Sequence, residues 1–522
     1  MGSAIGTEPE VLEAALSTTD QSALRELLHL ASSSNRRVIA RALCDAENTI
    51  RYYEAEIAQL LAQRQRFVRR AERCRSLLSP VKNIPPEILS LIFEFYCQKN
   101  ILLPDTLSPA STLCAVCYRW QQIALSIPRL WSSLDIDFSS WGTRHGSRLA
   151  RTIQAFMERS KTNPLTLRLK IDEEDDSDDD SDEDVNSPLD RINRSALEIL
   201  VRNSCRWFDV EFDGPTDILD HDDFLPIGGC LPRLRYVNFG LVEPYGLFSD
   251  APSLCSVTYT PGSNVPVPSL PLDHIKLLEL RECDGPSALR MLQACKAIEE
   301  LKLYWVGGGV AEALMEAFPS MNTLRVETRD ECDISLVLQL TLPVVTLIEL
   351  KCFDKRRTEL GWTVWDTSSV QTFFGDSPIL ELRLDNLPIT DTQVIGILSC
   401  LPSLRKLHIR DLGRWVLDGP PGRQTGNRTI TSPFFQSLTA VGPSDTVLIP
   451  RLTDLTLDAS GDMFDPGPLL KLIQSRLGHD SGEIENLHSV HLQLRGEGST
   501  PGVTTPISDH TFPGLQFTGP SL

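Results

Sequence analysis

The sequence predicts an α/β repeat solenoid preceded by helices, and three observations predict it. An apolar frame recurs from about residue 160 to 495: one large apolar residue, two others, a second apolar residue, one other, a third. The middle residues of successive frames, from Val210 to Ile348, lie 27, 20, 21, 23, 23 and 24 residues apart. Ahead of the frames, residues 36–79 contain neither Pro nor Gly, and their apolar positions step by three and four. Strands that return at a fixed period and alternate with helices stack into a right-handed solenoid. The steps of three and four belong to a helix.

The frames read Trp207/Val210/Phe212, Leu234/Val237/Phe239, Leu254/Val257/Tyr259, Ile275/Leu278/Leu280, Ile298/Leu301/Leu303 and Met321/Leu324/Val326. They continue as Val345/Ile348/Leu350, Ile379/Leu382/Leu384, Leu404/Leu407/Ile409, Leu452/Leu455/Leu457 and Leu487/Val490/Leu492, with 164–171 a degenerate first copy. Helix-like stretches at 287–297, 310–318 and 391–401 separate them. Residues 413–447, rich in Gly, Pro, Ser and Thr, form a loop insertion, and 496–522 a loose C-terminal tail. The solenoid therefore spans 136–495.

Alternate strand residues of such a solenoid share one concave face. They start acidic with Asp209, Glu211 and Asp213, continue with Glu300, Thr323, Glu327, Glu381 and Asp385 among Lys302, Tyr304, Arg325, Arg383, Lys406, His408 and Arg410, and are expected to run from acidic to more basic; the last seven are the candidate target-binding face. Strand residues that face water are polar in any case, so the expectation rests on the set rather than on any one residue.

Within 36–80 the seam Ile39, Leu43, Ala46, Ile50, Tyr53, Ile57, Leu60, Arg64, Phe67, Ala71, Cys74, Leu78 keeps a seven-residue period, with Arg64 as its violation. This predicts a coiled-coil-like helix with a narrow apolar stripe, which either self-associates through 36–78 or packs on the same chain. A shorter helix within 1–35 precedes it.

The character changes at 81–135. Asn83 can cap a helix that opens on Pro85 and Pro86, and 87–96 is apolar around most of its circumference. A helix of that kind needs two partners, its own domain and something else. A second helix is expected over 109–125, with Leu113, Val116, Trp120 and Ile123 at helical spacing. Cys114 and Cys117 on it are read as packing residues, because no further metal ligands stand near them.

The order Ile84-Pro85-Pro86-Glu87-Ile88-Leu89, Ile92-Phe93, Val116-Cys117-Tyr118-Arg119-Trp120 and Leu130-Trp131 resembles an F-box, and is similar to F-box proteins abundant in fungi. The resemblance implies binding to a Skp-family adaptor that links the chain to a cullin–RING ubiquitin ligase. It makes Pro85, Pro86, Ile88, Leu89, Ile92, Val116, Cys117 and Trp120 adaptor-facing or interface-shaping. The repeats, whose steps up to Ile348 fall inside the 20–29-residue range and whose later steps of 34, 25, 48 and 35 carry insertions, resemble the leucine-rich-repeat half of many F-box proteins. The function implied is a substrate-recognition subunit whose solenoid holds an unknown target protein. The alternative is a non-catalytic repeat scaffold or protein-interaction module without a ubiquitin-ligase role.

Composition narrows the rest. The formal charge is −20, from 70 acidic and 50 basic residues, which disfavours a phosphate-backbone binder. Eleven of the acidic residues lie in 172–184, read as part of a disordered insertion at 172–188, with Ser177 and Ser181 as candidate phosphorylation sites. Thirteen cysteines in 522 residues make no disulfide framework, so the thiols are expected reduced, in the cytoplasm or nucleus. No secretory signal or membrane span is expected. No nucleophile–base spacing, phosphate loop or metal motif is present in the sequence, so neither an enzyme nor a cofactor is expected.

Overall fold

The structure, a computed structural model, describes residues 36–171, 194–244, 246–262, 266–307, 317–329, 334, 336–352, 367–375, 377–411, 428–440, 447–460, 464–477, 484–495 and 516–518. The expected helix within 1–35, the acidic run with Ser177 and Ser181, and most of the 310–318 stretch lie outside these residues. The chain divides into two compact units, residues 1–89 and 90–522.

The first unit holds one long helix, α1 (Arg36–Leu78), where the heptad pattern predicts it. Every seam side chain from Leu43 to Leu78 is exposed. Pro80 ends the helix and opens a 3-10 turn, Pro80–Asn83. The expected Asn83 cap is not made: Asn83 closes that turn, and the next helix, α2 (Pro86–Tyr96), starts three residues later with Leu89 N–H donating to Pro85 O. The unit boundary falls inside α2, after Leu89.

The second unit is built on one parallel sheet of 15 strands whose spatial order is the order of the sequence. It opens with β1 (Asn100–Leu102), then β2 (Ser133–Asp137), β3 (Leu165–Lys170), β4 (Trp207–Asp213), β5 (Tyr236–Asn238), β6 (Ser256–Tyr259), β7 (Leu277–Arg281) and β8 (Glu300–Tyr304). β9 (Thr323–Thr328), β10 (Leu347–Cys352), β11 (Glu381–Asp385), β12 (Lys406–Asp411), β13 (Asp454–Ser460), β14 (Ser489–Arg495) and β15 (Gln516–Thr518) complete it. A parallel neighbour needs a crossover connection.

The register shows why the frame recurs. Val210, Val237, Val257, Leu278, Leu301, Leu324, Ile348, Leu382, Leu407, Leu455 and Val490 pair in one continuous row, all nearly inaccessible. The third residue of each frame forms a second buried row beside it. Helices alternate with the strands along the chain: α3 (Pro109–Val116), α4 (Tyr118–Ser126), α5 (Gly142–Ser160), α6 (Arg194–Arg202), α7 (Gly285–Ala294), α8 (Thr367–Phe374), α9 (Asp391–Ser399), α10 (Ser432–Leu438) and α11 (Pro466–Ser475). Side-chain caps fix several of their starts. Asp284 accepts from Ser287 N–H, and Thr390 with Gln393 makes a reciprocal capping box.

Four expectations need correction. The sheet does not begin near 160: β1 lies inside the expected linker between the two F-box helices, and β2 crosses the expected boundary at 135/136. The second helix, expected over 109–125, is two helices, because Cys117 is fully extended (φ −163°, ψ 163°) between α3 and α4. The insertion at 413–447 contains α10, whose Phe434, Phe435 and Leu438 are buried. Part of the tail returns as β15 and pairs with β14.

Candidate functional site

Two surfaces stand out. The first is α2. Its side chains divide by helical geometry into two apolar faces. Leu89, Phe93 and Cys97, four residues apart, are buried, while Ile88, Leu91, Ile92 and Phe95 form an exposed stripe with accessibilities of 47%, 62%, 48% and 78%. A soluble helix seldom shows water four large apolar residues in one stripe unless another surface covers them.

Residues 90–137 hold the carboxyl half of that helix firmly. Phe93 packs on Trp120, with ring centroids 4.9 Å apart. Trp131 is wholly buried: its Nε1 donates to Ala124 O at 3.0 Å, Phe156 meets it edge-on, and Arg159 lies 4.4 Å over its ring. Asn100, also wholly buried, donates from Nδ2 to Leu130 O (2.8 Å) and Ser133 O (2.9 Å), and its Oδ1 accepts from Ala110 N–H at 3.0 Å. One carboxamide thus ties β1 to the first turn of α3 and to the turn that leads into β2. A cavity of about 420 Å³ opens beside this framework, lined among others by Leu91, Phe95, Gln98, Arg129 and Ser133.

The sequence-named residues fall into two groups. Pro85, Pro86, Ile88, Ile92, Val116 and Cys117 are exposed. Leu89 is buried, and Trp120 is half-buried with its ring against Phe93. Sequence reasoning missed Leu91 and Phe95, although the 100° step along α2 places both beside Ile88 and Ile92. Cys117 is not a packing residue; it is the exposed break between α3 and α4. Burial pushes the Cys97 thiol up to about 12 and raises that of Cys114, so both stay protonated. No cluster of three or more His, Cys, Asp or Glu that could hold a metal is present among the described residues.

The second surface is the open face of the sheet. Register puts Lys302, Arg325, Glu349, Arg383 and His408 in one row. Tyr304, Glu327, Lys351, Asp385 and Arg410 form the next row, and Lys406 lies on the other side, beside Glu381. All seven face residues named from sequence therefore share this face.

The expected drift from acidic to basic is not what the face presents. Its cations are interleaved with carboxylates. Arg325 reaches Glu300 (2.9 Å) and Glu349 (3.4 Å), and Arg383 reaches Glu381 (2.5 Å) and Glu349 (4.0 Å). Lys302 lies 3.8 Å from both Glu279 and Glu300, and Arg410 bridges Asp385 (3.4 Å) and Asp458 (3.3 Å). Arg281 lies over the ring of Tyr304. Glu300 and Glu381 lie on the same strands as Lys302 and Arg383, and the other partners on neighbouring strands. Burial lowers the His408 pKa below its ordinary value, against the opposing pull of Asp385.

Residues 81–137 match the F-box-like family, and the chain therefore carries an F-box-like domain. Domains of this kind generally bind Skp-type adaptors. No curated protein matches the chain. No helix among the described residues is long and apolar enough to cross a membrane.

Proposed function

We propose that this protein is the substrate-recognition subunit of a cullin–RING ubiquitin ligase. Its F-box-like domain docks a Skp-family adaptor, and its repeats, read as leucine-rich-repeat-like, hold the target. The observation that carries the reading is the exposed stripe of Ile88, Leu91, Ile92 and Phe95 on a helix inside the F-box-like segment. The chain does no chemistry of its own in this reading. It holds a target lysine near the conjugating enzyme, and proximity alone supplies a large rate gain. The target is a protein with interleaved charges: the sheet face offers alternating cations and carboxylates, which suits such a surface better than a polyanionic backbone. The setting is the cytoplasm or nucleus, where the adaptor and ligase operate.

The test is co-purification of the full chain with a Skp-family adaptor, comparing wild type with the Pro86→Ala, Ile88→Asp double variant. Binding by wild type alone, with both proteins folded, supports the reading. A folded wild type that ignores the adaptor overturns it.

A second reading, a repeat scaffold without ligase function, is favoured by the exposed seam of α1, which suits self-association through residues 36–78 whether or not an adaptor binds. Adaptor binding separates the two.

A further inference from the structure

We propose that α1 pairs with α1 of a second copy of this chain, and that the two helices run antiparallel. The inference rests on the self-association reading and gives it a direction and a register.

The first observation is exposure. Leu43, Ile50, Tyr53, Ile57, Leu60 and Phe67 are each 56–68% exposed on one helix of 43 residues, about 60 Å long. Such a stripe needs an elongated apolar partner with the same seven-residue period, and α1 itself has that period.

The second observation is charge. Residues 45–56 carry Asp45, Glu47, Glu54 and Glu56 against Arg51, a net −3; residues 64–75 carry six arginines against Glu72, a net +5. A parallel pair sets the two basic segments side by side. It stacks Arg64 on Arg64 in the seam and brings Arg70 toward Arg75 at the flanks. Like charges in those places are repulsive. An antiparallel pair lays each basic segment along the acidic segment of the other copy.

The third observation is that the seam is self-complementary in reverse. Aligned end to end in opposite directions, Ile57 meets Leu60 at the two-fold axis and Ile50 meets Phe67. Arg64, the one violation of the pattern, meets Tyr53, whose ring and hydroxyl suit a guanidinium. Ala46 meets Ala71, so small residues oppose small ones. In this arrangement Arg64 selects the direction of pairing, as polar seam residues do in other coiled coils.

The experiment uses the full chain carrying Leu43→Cys and Cys44→Ser, with Cys74 left in place. Position 43 of one copy faces Cys74 of the other in the antiparallel register. Within one helix these positions are 31 residues apart, about 46 Å, so a link between them joins two chains. Sedimentation velocity is expected to show a dimer, and mild oxidation followed by peptide mapping a 43–74 link. Links of 43 to 43 and 74 to 74 overturn the antiparallel direction while self-association stands. A monomer at micromolar concentration overturns both. As a second arm, Ile57→Lys with Leu60→Lys is expected to weaken dimerisation at least tenfold with the thermal transition unchanged. A dimer that persists at wild-type strength places the interface elsewhere and overturns the proposal.

Discussion

The Asn100 side chain accepts the backbone N–H of Ala110 at 3.0 Å, and through that bond the first strand of the sheet holds the first turn of an F-box helix. The same carboxamide donates to two carbonyl oxygens, so a single buried residue satisfies three main-chain groups. Removing it leaves them without partners, at about 1–3 kcal/mol for each buried group. Asn100→Ala is expected to lower the unfolding free energy by about 3 kcal/mol or more, read from the midpoint of urea unfolding. Asn100→Asp is expected to cost more, because a carboxylate would face the oxygens of Leu130 and Ser133. A variant with Asp at this position and wild-type stability would remove the case for the hub.

The two faces of α2 predict opposite consequences for chemically similar changes. Phe93→Ala empties a buried site and is expected to cost about 3–5 kcal/mol. Ile92→Asp and Phe95→Asp change side chains that already face water and are expected to shift the thermal midpoint by no more than a few degrees. A stability loss from Phe95→Asp as large as that from Phe93→Ala would mean the stripe is buried in solution.

Much of this architecture was legible because apolar periodicity reports burial directly. The frames from Trp207 onward become strands since their three apolar residues are those the sheet must bury. The start of the sheet was missed for a specific reason. Trp131, Leu134 and Ile136 fit the same frame, but Leu130-Trp131 also ends the F-box pattern, and one residue run serves both. β1 was hidden because a three-residue strand in a linker carries almost no periodicity. The break at Cys117 left no trace either, since neither Gly nor Pro stands there. The candidate site was half legible. Position along the strands gave the open face, but the pairing of its charges depends on which strands are neighbours.

That pairing predicts how the open face answers a change of charge. Glu349 lies between Arg325 and Arg383 in the central row. Each of these pairs is partly exposed and worth about 0–1 kcal/mol, so Glu349→Lys should leave the fold intact. It does, however, turn Lys302, Arg325, position 349 and Arg383 into an unbroken row of cations. The variant is expected to elute from heparin at higher salt than wild type. Equal retention would show that Glu349 does not balance these arginines.

His408 sits in the same row, half-buried, with Arg383 and Asp385 on the strand before it and Asp458 on the strand after. Burial lowers its pKa from 6.5, so below that pH the unfolded chain takes up a proton that the folded chain resists. The stability it contributes is complete above 6.5 and is lost as pH falls toward the lowered value. His408→Gln, which cannot titrate, is expected to lose less stability than wild type between pH 7.5 and 5.5, measured as the shift in urea midpoint. An identical shift in the two proteins would show that His408 does not carry this dependence.

Arg476, at the end of α11, is completely buried, yet no carboxylate among the described residues pairs with it. Its guanidinium donates to Leu438 O from Nε (3.1 Å) and Nη2 (2.9 Å), to Ile449 O from Nη1 (3.0 Å) and to Leu448 O from Nη2 (2.7 Å). Burial lowers its pKa to about 10, which leaves it charged at neutral pH. A buried ion pair can often be exchanged for apolar side chains because both partners leave together. Here the acceptors are main-chain carbonyls that no substitution removes. Arg476→Met therefore orphans the last carbonyl of α10 and two carbonyls ahead of β13, and is expected to destabilise the fold by roughly 3 kcal/mol or more. Arg476→Lys keeps the charge but lacks the planar fork that reaches three residues at once, so its urea midpoint is expected between those of Arg476→Met and wild type. If Arg476→Met unfolds at the wild-type midpoint, these carbonyls find other donors and the guanidinium is not what joins α10 to the turn before β13.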